Sequence, residues 1–420
     1  MYPTLNFDFA GTKQLDPRIS FARATAATYF DQAGILKTAA SGAARFDHDP
    51  LTTQSLGLFV EESRTNLAWW SATLDSTYWG KNRGTATANT TTAPDGAATA
   101  DTFTENNLTG PHAFFSKQTG GDAILCSPDT AYTVSTFIKA GTRGFGCVGL
   151  QQNTAAGAFI GVYLLHINLN TGAFSATESV GTIPTSSSYA ITDVGNGWYR
   201  ISVTGTTAAT AGIIQIIFGP STGTTNSYTG DGVSTVHCWG VQVESGARIS
   251  SYIPTVGGIG TRNADVATIT GTNFSDFWQA GKGGVLVRAR PGTVSGTRPW
   301  VQFDDGTSDN LIAIRGNGTD PELYIVDSTT PQAQIDAGTI AANTDYAMTA
   351  WWNTDDCKAR LNSGAVFIDS SATIPTVDQM RIGSDGTNYL NGHIASIGYY
   401  DRFSSQIYTR RKNKAVFSLL

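Results

Sequence analysis

The sequence predicts an almost all-β protein, with two tandem antiparallel β-sandwiches that follow a short N-terminal β segment. Charged residues make up only 14% of the 420 residues while glycine occurs 46 times, a balance that favours strands and tight turns over helices. Runs rich in β-branched and aromatic residues recur between Gly, Pro, Asn and Asp. The spacings between these runs are too short for crossover helices, so the strands should pair antiparallel. A chain of this length is also too long for one core and fits two or three domains.

Residues 1–65 form the N-terminal segment of this prediction. Short apolar strands alternate there with turn signals such as Gly11, Asp16-Pro17 and Asp49-Pro50. The stretch is too short and open to build a strong core of its own. Two roles therefore stay open: the segment packs on the next domain, or it docks the protein to a partner.

Residues 66–256 are predicted to form a jelly-roll sandwich, and residues 257–420 a second sandwich. A glycine-rich hinge, VGGIG at 256–260, separates them, and such a stretch is where a domain boundary belongs. The strands of the first sandwich are expected at 131–139, 159–165, 198–204, 213–218 and 236–243. Those of the second are expected at 284–290, 300–303, 310–315, 322–326, 346–352, 358–362, 380–386 and 389–401.

Charge and cysteine usage argue against several classes of protein. The net charge is -6 and the basic residues cluster only at 410–414 (RRKNK), so a nucleic-acid partner is not expected. The four cysteines lie far apart without a Cys-x-x-Cys pair, which predicts free thiols rather than a zinc site or a disulfide scaffold. No apolar run approaches about 20 residues, and the N-terminus lacks the pattern of a signal peptide. Neither membrane insertion nor secretion by a signal peptide is expected.

Five short motifs carry a resemblance to a known group of proteins. SFARATAATYF (20–30), RFDHDP (45–50) and LFVEESRTNL (58–67) together resemble the segment that opens many tailed-phage and prophage virion proteins of proteobacterial viruses. GVQVESG (240–246) and SYIPT (251–255) resemble the closing strand of the carbohydrate-binding-module-like jelly roll that usually follows it. The last strands, 380–386 and 389–401, are similar to those of a concanavalin A-like, laminin-G-type lectin sandwich.

The resemblance implies a tail or head fibre or spike protein of a bacteriophage, made in the host bacterial cytoplasm and carried on the virion. Its partners would be host cell-surface polysaccharide and other virion structural proteins. A homo-oligomer such as a trimer would supply avidity to weak sugar sites. A purely structural decoration or adaptor that binds no sugar is the alternative. A polysaccharide depolymerase is the third reading.

No catalytic residue is predicted, and the protein is expected not to be an enzyme. A depolymerase needs two carboxylates across a cleft. The neighbouring pairs in this sequence point to opposite faces of a strand, and a solvated loop or turn explains the two aspartate pairs better. These pairs are Glu61 and Glu62, Asp304 and Asp305, and Asp355 and Asp356. None of the five histidines stands in a metal-binding pair, and no Gly-x-Ser-x-Gly motif occurs.

Aromatic residues are the predicted carbohydrate-binding residues, because a sugar ring packs its apolar side on an aromatic face. The first candidates are Trp69, Trp70, Tyr78 and Trp79, which cluster in a polar segment where exposure is expected. Core packing or contact with a neighbouring chain is the alternative for this cluster. Trp198 and Trp239 lie inside strong strands and are expected in the core.

The second sandwich offers further candidates. Trp351 and Trp352 are neighbours on a strand, so one should enter the core and the other should face outward. Trp300 and Tyr389 are weaker candidates of the same kind.

Calcium accompanies both sandwich families, but no spaced motif for it occurs here. The carboxylates that could serve are Glu61, Glu62, Glu244, Asp304, Asp305 and Asp309. No metal site and no cofactor are predicted.

Overall fold

The computed structural model describes residues 2–402, and the basic cluster at 410–414 lies outside the described residues. The predicted antiparallel all-β class is confirmed. Two four-residue helices, α1 (Phe9–Thr12) and α2 (Thr272–Ser275), are the helices found in this range. Between residues 2 and 402 no helix has the length and apolar character needed to cross a membrane.

Seven strands come from the start of the chain. They are β1 (Leu5–Asp8), β2 (Ser20–Ala22), β3 (Ala27–Phe30), β4 (Leu36–Ala39), β5 (Arg45–His48), β6 (Ser55–Val60) and β7 (Arg64–Asn66). Strands β3 and β4 form a separate hairpin.

The next fifteen strands form the inserted sandwich (β8–β22). They are β8 (Gly80–Asn82), β9 (Gly84–Thr91), β10 (Ala100–Glu105), β11 (Thr109–Pro111), β12 (Ala113–Phe115), β13 (Ile124–Leu125), β14 (Ala131–Ala140), β15 (Phe145–Asn153), β16 (Phe159–Asn168), β17 (Phe174–Gly181), β18 (Thr185–Asp193), β19 (Trp198–Thr206), β20 (Ile213–Pro220), β21 (Ser227–Thr229) and β22 (Thr235–Ser245). One sheet has the order β18-β19-β14-β22-β10-β9, and the facing sheet has the order β17-β16-β15-β20-β12-β8 with β13 also on β20. The chain passes back and forth between the two sheets, as the jelly-roll prediction requires.

The last twelve strands complete the described chain. They are β23 (Gly260–Arg262), β24 (Val266–Thr270), β25 (Lys282–Arg290), β26 (Thr297–Asp304), β27 (Leu311–Asn317), β28 (Asp320–Asp327), β29 (Thr330–Asp336), β30 (Tyr346–Asn353), β31 (Cys357–Leu361), β32 (Phe367–Asp369), β33 (Gln379–Ile382) and β34 (Gly392–Tyr400). Together with β1, β2, β5 and β6, strands β24–β34 form the framing sandwich. Its sheets have the orders β32-β31-β30-β25-β34-β6-β5, with β1 also on β34, and β2-β24-β33-β26-β27-β28-β29.

The N-terminal segment is therefore part of the C-terminal sandwich, whereas the sequence suggested a separate unit at 1–65. Leu5 pairs with Tyr399 across β1 and β34, and Ser20 pairs with Thr268 across β2 and β24. The side chain of Leu58, in β6, is fully buried in the same core. Strand propensity is a local property, so it revealed these strands but not partners that lie more than 200 residues away.

A two-stranded neck connects the sandwiches. Strand β7 carries the chain out of the framing sandwich and β23 brings it back, and the two pair antiparallel with Gly260 opposite Asn66. The inserted sandwich is thus an insertion between two halves of the framing sandwich.

A buried ion network holds the neck region together. The carboxylate of Asp265 accepts hydrogen bonds from Arg23 Nη1 at 2.9 Å and from Arg45 Nη2 at 2.5 Å, and all three side chains have no exposed surface. Arg45 also pairs with Glu61 at 2.8 Å. Ser251, from the end of the inserted sandwich, donates its hydroxyl to Glu61 at 2.7 Å. The network thereby joins the N-terminal segment, the inserted sandwich and the C-terminal strands.

The charge state of Glu61 follows from its neighbours. Burial raises the pKa of Glu61, but Arg262, Arg45 and the hydrogen bonds from Ser251 outweigh this effect and hold the pKa well below its usual range. Glu61 therefore stays ionised at neutral pH. Arg262 lies 3.5 Å from Glu61 and is itself buried.

Asp265→Ala is expected to lower the free energy of unfolding by about 3–5 kcal/mol, because it leaves two buried guanidinium groups without their shared partner. Urea unfolding followed by tryptophan fluorescence measures the change. Asp16→Ala is the matched control, since Asp16 pairs with Arg18 at the surface and should cost less than about 1 kcal/mol. Equal effects of the two substitutions would show that the network contributes no special stability.

Candidate functional site

The predicted aromatic cluster of the inserted sandwich is mostly buried. Tyr78 is 3% and Trp79 is 2% exposed, and only Trp69 and Trp70 are half-buried. Trp79 packs edge-on against Phe218 of the core at 5.5 Å and donates its indole N–H to the Trp70 carbonyl at 3.0 Å. The polar residues around these rings lie in turns and bends. Within this stretch Tyr78 and Trp79 belong to the hydrophobic core, and Trp69 and Trp70 pack against it.

Tyr78 shows the effect of this burial. Its ring stacks on Trp69 with centroids 5.9 Å apart, and burial raises the pKa of Tyr78 to about 12. The expectation of an exposed cluster was wrong for Tyr78 and Trp79, because composition alone does not reveal which face of a turn is covered.

The candidates in the framing sandwich are also covered. Trp300 and Trp352 have no exposed surface, and Trp351 is only 4% exposed. One member of the Trp351–Trp352 pair was expected to face outward, but Trp351 is buried as well. Its ring lies over Gly284 on the neighbouring strand, where a Cβ would come within 2.6 Å of Trp351 Cε3. Tyr389 is half-buried, and its carbonyl accepts a hydrogen bond from Arg298 at 3.3 Å.

The tryptophans predicted for the core are buried, with Trp198 at 1% and Trp239 at 4% exposure. The four cysteines are free thiols, as expected, and burial raises the pKa of the half-buried Cys126 to about 11.

Of the carboxylates considered for calcium, Glu61, Glu62, Glu244, Asp304 and Asp305 have other partners. Glu244 accepts hydrogen bonds from Ser250 N at 2.9 Å and Ser250 Oγ at 2.5 Å. Asp304 pairs with Arg381 at 2.9 Å, and Asp305 accepts the Thr307 hydroxyl at 2.6 Å. No group of three or more His, Cys, Asp or Glu side chains suited to a metal ion occurs within residues 2–402.

A different surface brings recognition chemistry together. On β15, Val148 and Leu150 enter the core, so Gly149, Gln151 and Asn153 point away from it. A bulge after Gln152 puts Asn153 opposite Phe159 of β16, and Gln151 lies opposite Val162 and Gln215. We call this region the amide face and define it by Gln118, Gln151, Asn153, Phe159, Val162, Val180 and Gln215, of which Asn153, Val162 and Gln215 are buried.

Hydrogen bonds between the amides fix their positions. Gln151 Nε2 donates to Gln215 Oε1 at 2.6 Å and to Asn153 Oδ1 at 3.0 Å. Asn153 Nδ2 donates to Gln215 Oε1 at 3.0 Å, and Gln118 Nε2 reaches Asn153 Oδ1 at 3.3 Å. The side chains of Gln118 and Gln151 are half-buried, so part of each remains exposed. Within residues 2–402, their Oε1 atoms accept no hydrogen bond. Two fixed acceptors are therefore free for an external donor.

Exposed apolar side chains lie on the next two strands of the same sheet. Phe159 is 48% and Val180 is 49% exposed, and Val180 lies opposite Val162 across β16 and β17. Gly149 lets this face pack closely, since a Cβ there would lie 2.4 Å from Leu164 Cδ2. No member of the amide face carries a formal charge. An exposed ring on the strand that pairs with the amide-bearing strand suits the apolar side of a neutral sugar, and the free amide oxygens suit its hydroxyl groups.

Sequence analysis missed the amide face because its members come from five separate stretches of the chain. The one available signal was Gly149-x-Gln151-x-Asn153, an alternation of small and amide residues that lies outside the strands expected from the sequence.

A second exposed aromatic feature lies where the two sheets of the inserted sandwich end. Phe174 of β17 and Tyr189 of β18 stack with centroids 5.2 Å apart, and their exposed fractions are 48% and 42%. Strands β17 and β18 are the terminal strands of facing sheets. Their outer backbone groups are therefore free of sheet partners.

The neck contains a cavity of about 440 Å³, which we call the neck cavity. It is lined by Glu62, Ser63, Arg64, Thr65, Leu67 and Ser245. Glu62 pairs with Arg64 at 2.6 Å and with Arg248 at 2.9 Å. Burial raises the pKa of Glu62, but the positive charges of Arg248 and Arg64 outweigh burial. The pKa of Glu62 is therefore below its ordinary value.

No protein-family model matches this chain, and no curated protein sequence matches it. Among solved structures, the NanB sialidase of Streptococcus pneumoniae is similar at 13% identity and a TM-score of 0.30, over 34% of this chain and 26% of that chain. The LG4-5 domains of the mouse laminin α1 chain are similar at 9% identity and a TM-score of 0.22, over 70% of this chain and 85% of theirs. The Trypanosoma rangeli sialidase is similar at 10% identity and a TM-score of 0.25, over 74% of this chain and 59% of that chain. These likenesses concern β-sandwich architecture alone, and no ligand or activity follows from them.

Proposed function

We propose that this protein is a non-enzymatic virion fibre or spike protein that binds host-surface polysaccharide through the amide face. The observation that carries the sugar-binding part is the combination of the exposed Phe159, which lies opposite Asn153 across β15 and β16, with the free Oε1 atoms of Gln118 and Gln151, two side chains that both donate to Asn153. Sugar hydroxyls donate to such acceptors, and the ring covers the apolar side of a pyranose.

Because no side chain of the amide face carries a formal charge, we expect a neutral ligand there. A fixed amide network also loses little conformational entropy on binding, because its side chains are already held by one another. Affinity per site would still be low, so display of several copies on one particle would supply avidity.

The virion part of the proposal rests on the motifs at 20–30, 45–50 and 58–67. Arg23, Arg45 and Glu61 of these motifs belong to the buried ion network, so the motifs specify how the framing sandwich is joined to the insertion. The motifs therefore support a similar arrangement of the two sandwiches in this protein and in the virion proteins that it resembles. They do not identify the sugar, which has to be found by experiment.

Phe159→Ala is expected to weaken glycan binding about tenfold or more, which corresponds to about 1.4 kcal/mol, because it removes the exposed ring. Gln151→Ala should have a similar effect, because it removes a fixed acceptor and two hydrogen bonds of the network. An array of neutral and acidic bacterial oligosaccharides identifies the ligand, and titration of the strongest neutral ligand measures the change.

Phe367→Ala is the matched control for that experiment. Phe367 is 44% exposed but lies on β32 of the framing sandwich, so its loss should leave glycan affinity unchanged. Absence of array binding by the wild-type protein, or equal losses for Phe159→Ala and Phe367→Ala, would contradict a sugar site on the amide face.

The second candidate function is a structural adaptor or decoration that binds no sugar. The observation that favours it is the half-exposed Phe174–Tyr189 stack between two edge strands, each of which pairs with a neighbouring strand on one side only within residues 2–402. Such edges add strands from another chain readily, and β17 and β18 carry few charges that would prevent it.

Tyr189→Lys is expected to shift the protein towards monomer if copies pair along this edge, because a charge there opposes strand addition. Sedimentation velocity of the full chain measures the change, with Phe367→Lys as the control at a similarly exposed position. An unchanged sedimentation coefficient for Tyr189→Lys would remove this edge as the contact between copies.

A depolymerase remains the third reading, and a direct assay separates it from binding. Incubation of the protein with the polysaccharide that it binds best should produce no new reducing ends. Release of reducing ends above the level of a heat-denatured sample would contradict the non-enzymatic proposal.

A further inference from the structure

Glu62 at the neck is surrounded by more positive charge than it balances. Arg64 Nη2 lies 2.6 Å and Arg248 Nη2 lies 2.9 Å from Glu62 Oε1, while Arg298 Nη1 lies 3.9 Å from Glu62 Oε2. One carboxylate thus faces three guanidinium groups. All four side chains keep some exposure, between 17% and 25%, so an ion from solvent can reach them.

Arg298 is the least satisfied of the three arginines. Its Nε is buried and has no hydrogen-bond partner among the described residues. Burial lowers the pKa of Arg298, and repulsion from Arg248 and Arg64 adds to this effect while Glu62 opposes it. The site therefore has unused capacity for negative charge.

One further acidic group acts on Arg298 but does not neutralise it by direct contact. Asp385 accepts hydrogen bonds from Thr387 N at 2.8 Å and from Asn388 N at 2.6 Å. In the part of the chain that the structure describes, Asp385 forms no ion pair with Arg298. The positive excess at the neck is thus left without a direct partner.

We propose that Arg64, which lines the neck cavity, and the adjoining Arg248 and Arg298, which both face Glu62, bind a negatively charged substituent of a polysaccharide, a carboxylate or a phosphate. For the origin of its ligand this inference rests on the proposed function, but it uses a different surface from the amide face. The cavity volume of about 440 Å³ lies within the range of about 300–1,000 Å³ for small-molecule sites.

Glu62 acts as an internal competitor in this site. Guanidinium groups bind carboxylate and phosphate oxygens through charge-assisted hydrogen bonds, and Glu62 already accepts such bonds from Arg64 Nε at 2.8 Å and from Arg248 at 2.9 Å. An incoming anion shares or replaces this carboxylate as the counter-charge. Removing the charge of Glu62 should therefore strengthen anion binding, an effect that a purely structural cluster would not produce.

Titration of the full chain with galacturonate and, separately, with inorganic phosphate at low ionic strength tests the proposal. Saturable binding of at least one probe is expected for the wild-type protein. Arg298→Gln and Arg248→Gln should each weaken it about tenfold or more, because each removes charge-assisted hydrogen bonds. Glu62→Gln should tighten binding several-fold. Arg18→Gln, at a surface ion pair outside the neck, should change nothing.

The two probes and a cross-check separate the outcomes. Binding of galacturonate identifies a carboxylate substituent, and binding of phosphate alone identifies a phosphate substituent. Phe159→Ala should leave galacturonate or phosphate binding intact, and Arg298→Gln should leave neutral glycan binding intact, so each site can fail without the other. Circular dichroism verifies folding, and Arg248→Gln serves if Arg298→Gln does not fold. Lack of saturable binding of both probes, or unchanged or weaker binding by Glu62→Gln, would overturn the proposal.

Discussion

The rest of the structure depends on the carboxylate of Asp265, which is held between the guanidinium groups of Arg23 and Arg45 without any exposed surface. Burying three charges is costly, and it becomes tolerable only when every partner is present with good geometry. Those partners come from parts of the chain more than 200 residues apart, so the network can form only after both halves of the framing sandwich have met. Glu61 extends it to Ser251 and thereby to the inserted sandwich. The network therefore selects one arrangement of the three segments and excludes arrangements in which a charge would be buried alone.

The insertion explains why the N-terminal segment is needed. Strands β1 and β6 both pair with β34, the last described strand, so the framing sheet closes only when the first 60 residues are in place. The neck, β7 paired with β23, then fixes where the inserted sandwich begins and ends. A chain that lacked this segment would expose one side of β34 and the core around Tyr399. The motifs at 20–30, 45–50 and 58–67 consequently belong to the region where the two sandwiches are connected, and they carry no information on a ligand.

Much of the fold was predictable from the sequence, because strand signals are local. The strands expected at 131–139 and 213–218 correspond to β14 (Ala131–Ala140) and β20 (Ile213–Pro220), and the core positions of Trp198 and Trp239 were also predictable. Strand pairings between distant parts of the chain were not predictable. The segment LFVEES (58–63), for example, does not indicate that Val60 pairs with Gly392. The site was predicted less well for the same reason. Exposure of Trp79 or Trp351 depends on what covers it, and the amide face is assembled from β15, β16, β17, β20 and the loop that contains Gln118.

The two proposed binding surfaces would use different physical forces, and this difference would give them separate roles. Hydrogen bonds from neutral hydroxyl groups to Gln118 and Gln151 are weak individually and depend little on salt, but they are directional and so discriminate between sugar stereoisomers. The arginines at the neck provide long-range attraction that salt weakens and that is less selective for ring stereochemistry. A polysaccharide with both neutral and acidic sugars could engage both surfaces of one chain, and the second contact would then be intramolecular with a raised effective concentration. Charge would speed the encounter with an acidic cell surface, and the amide face would decide which glycan is retained.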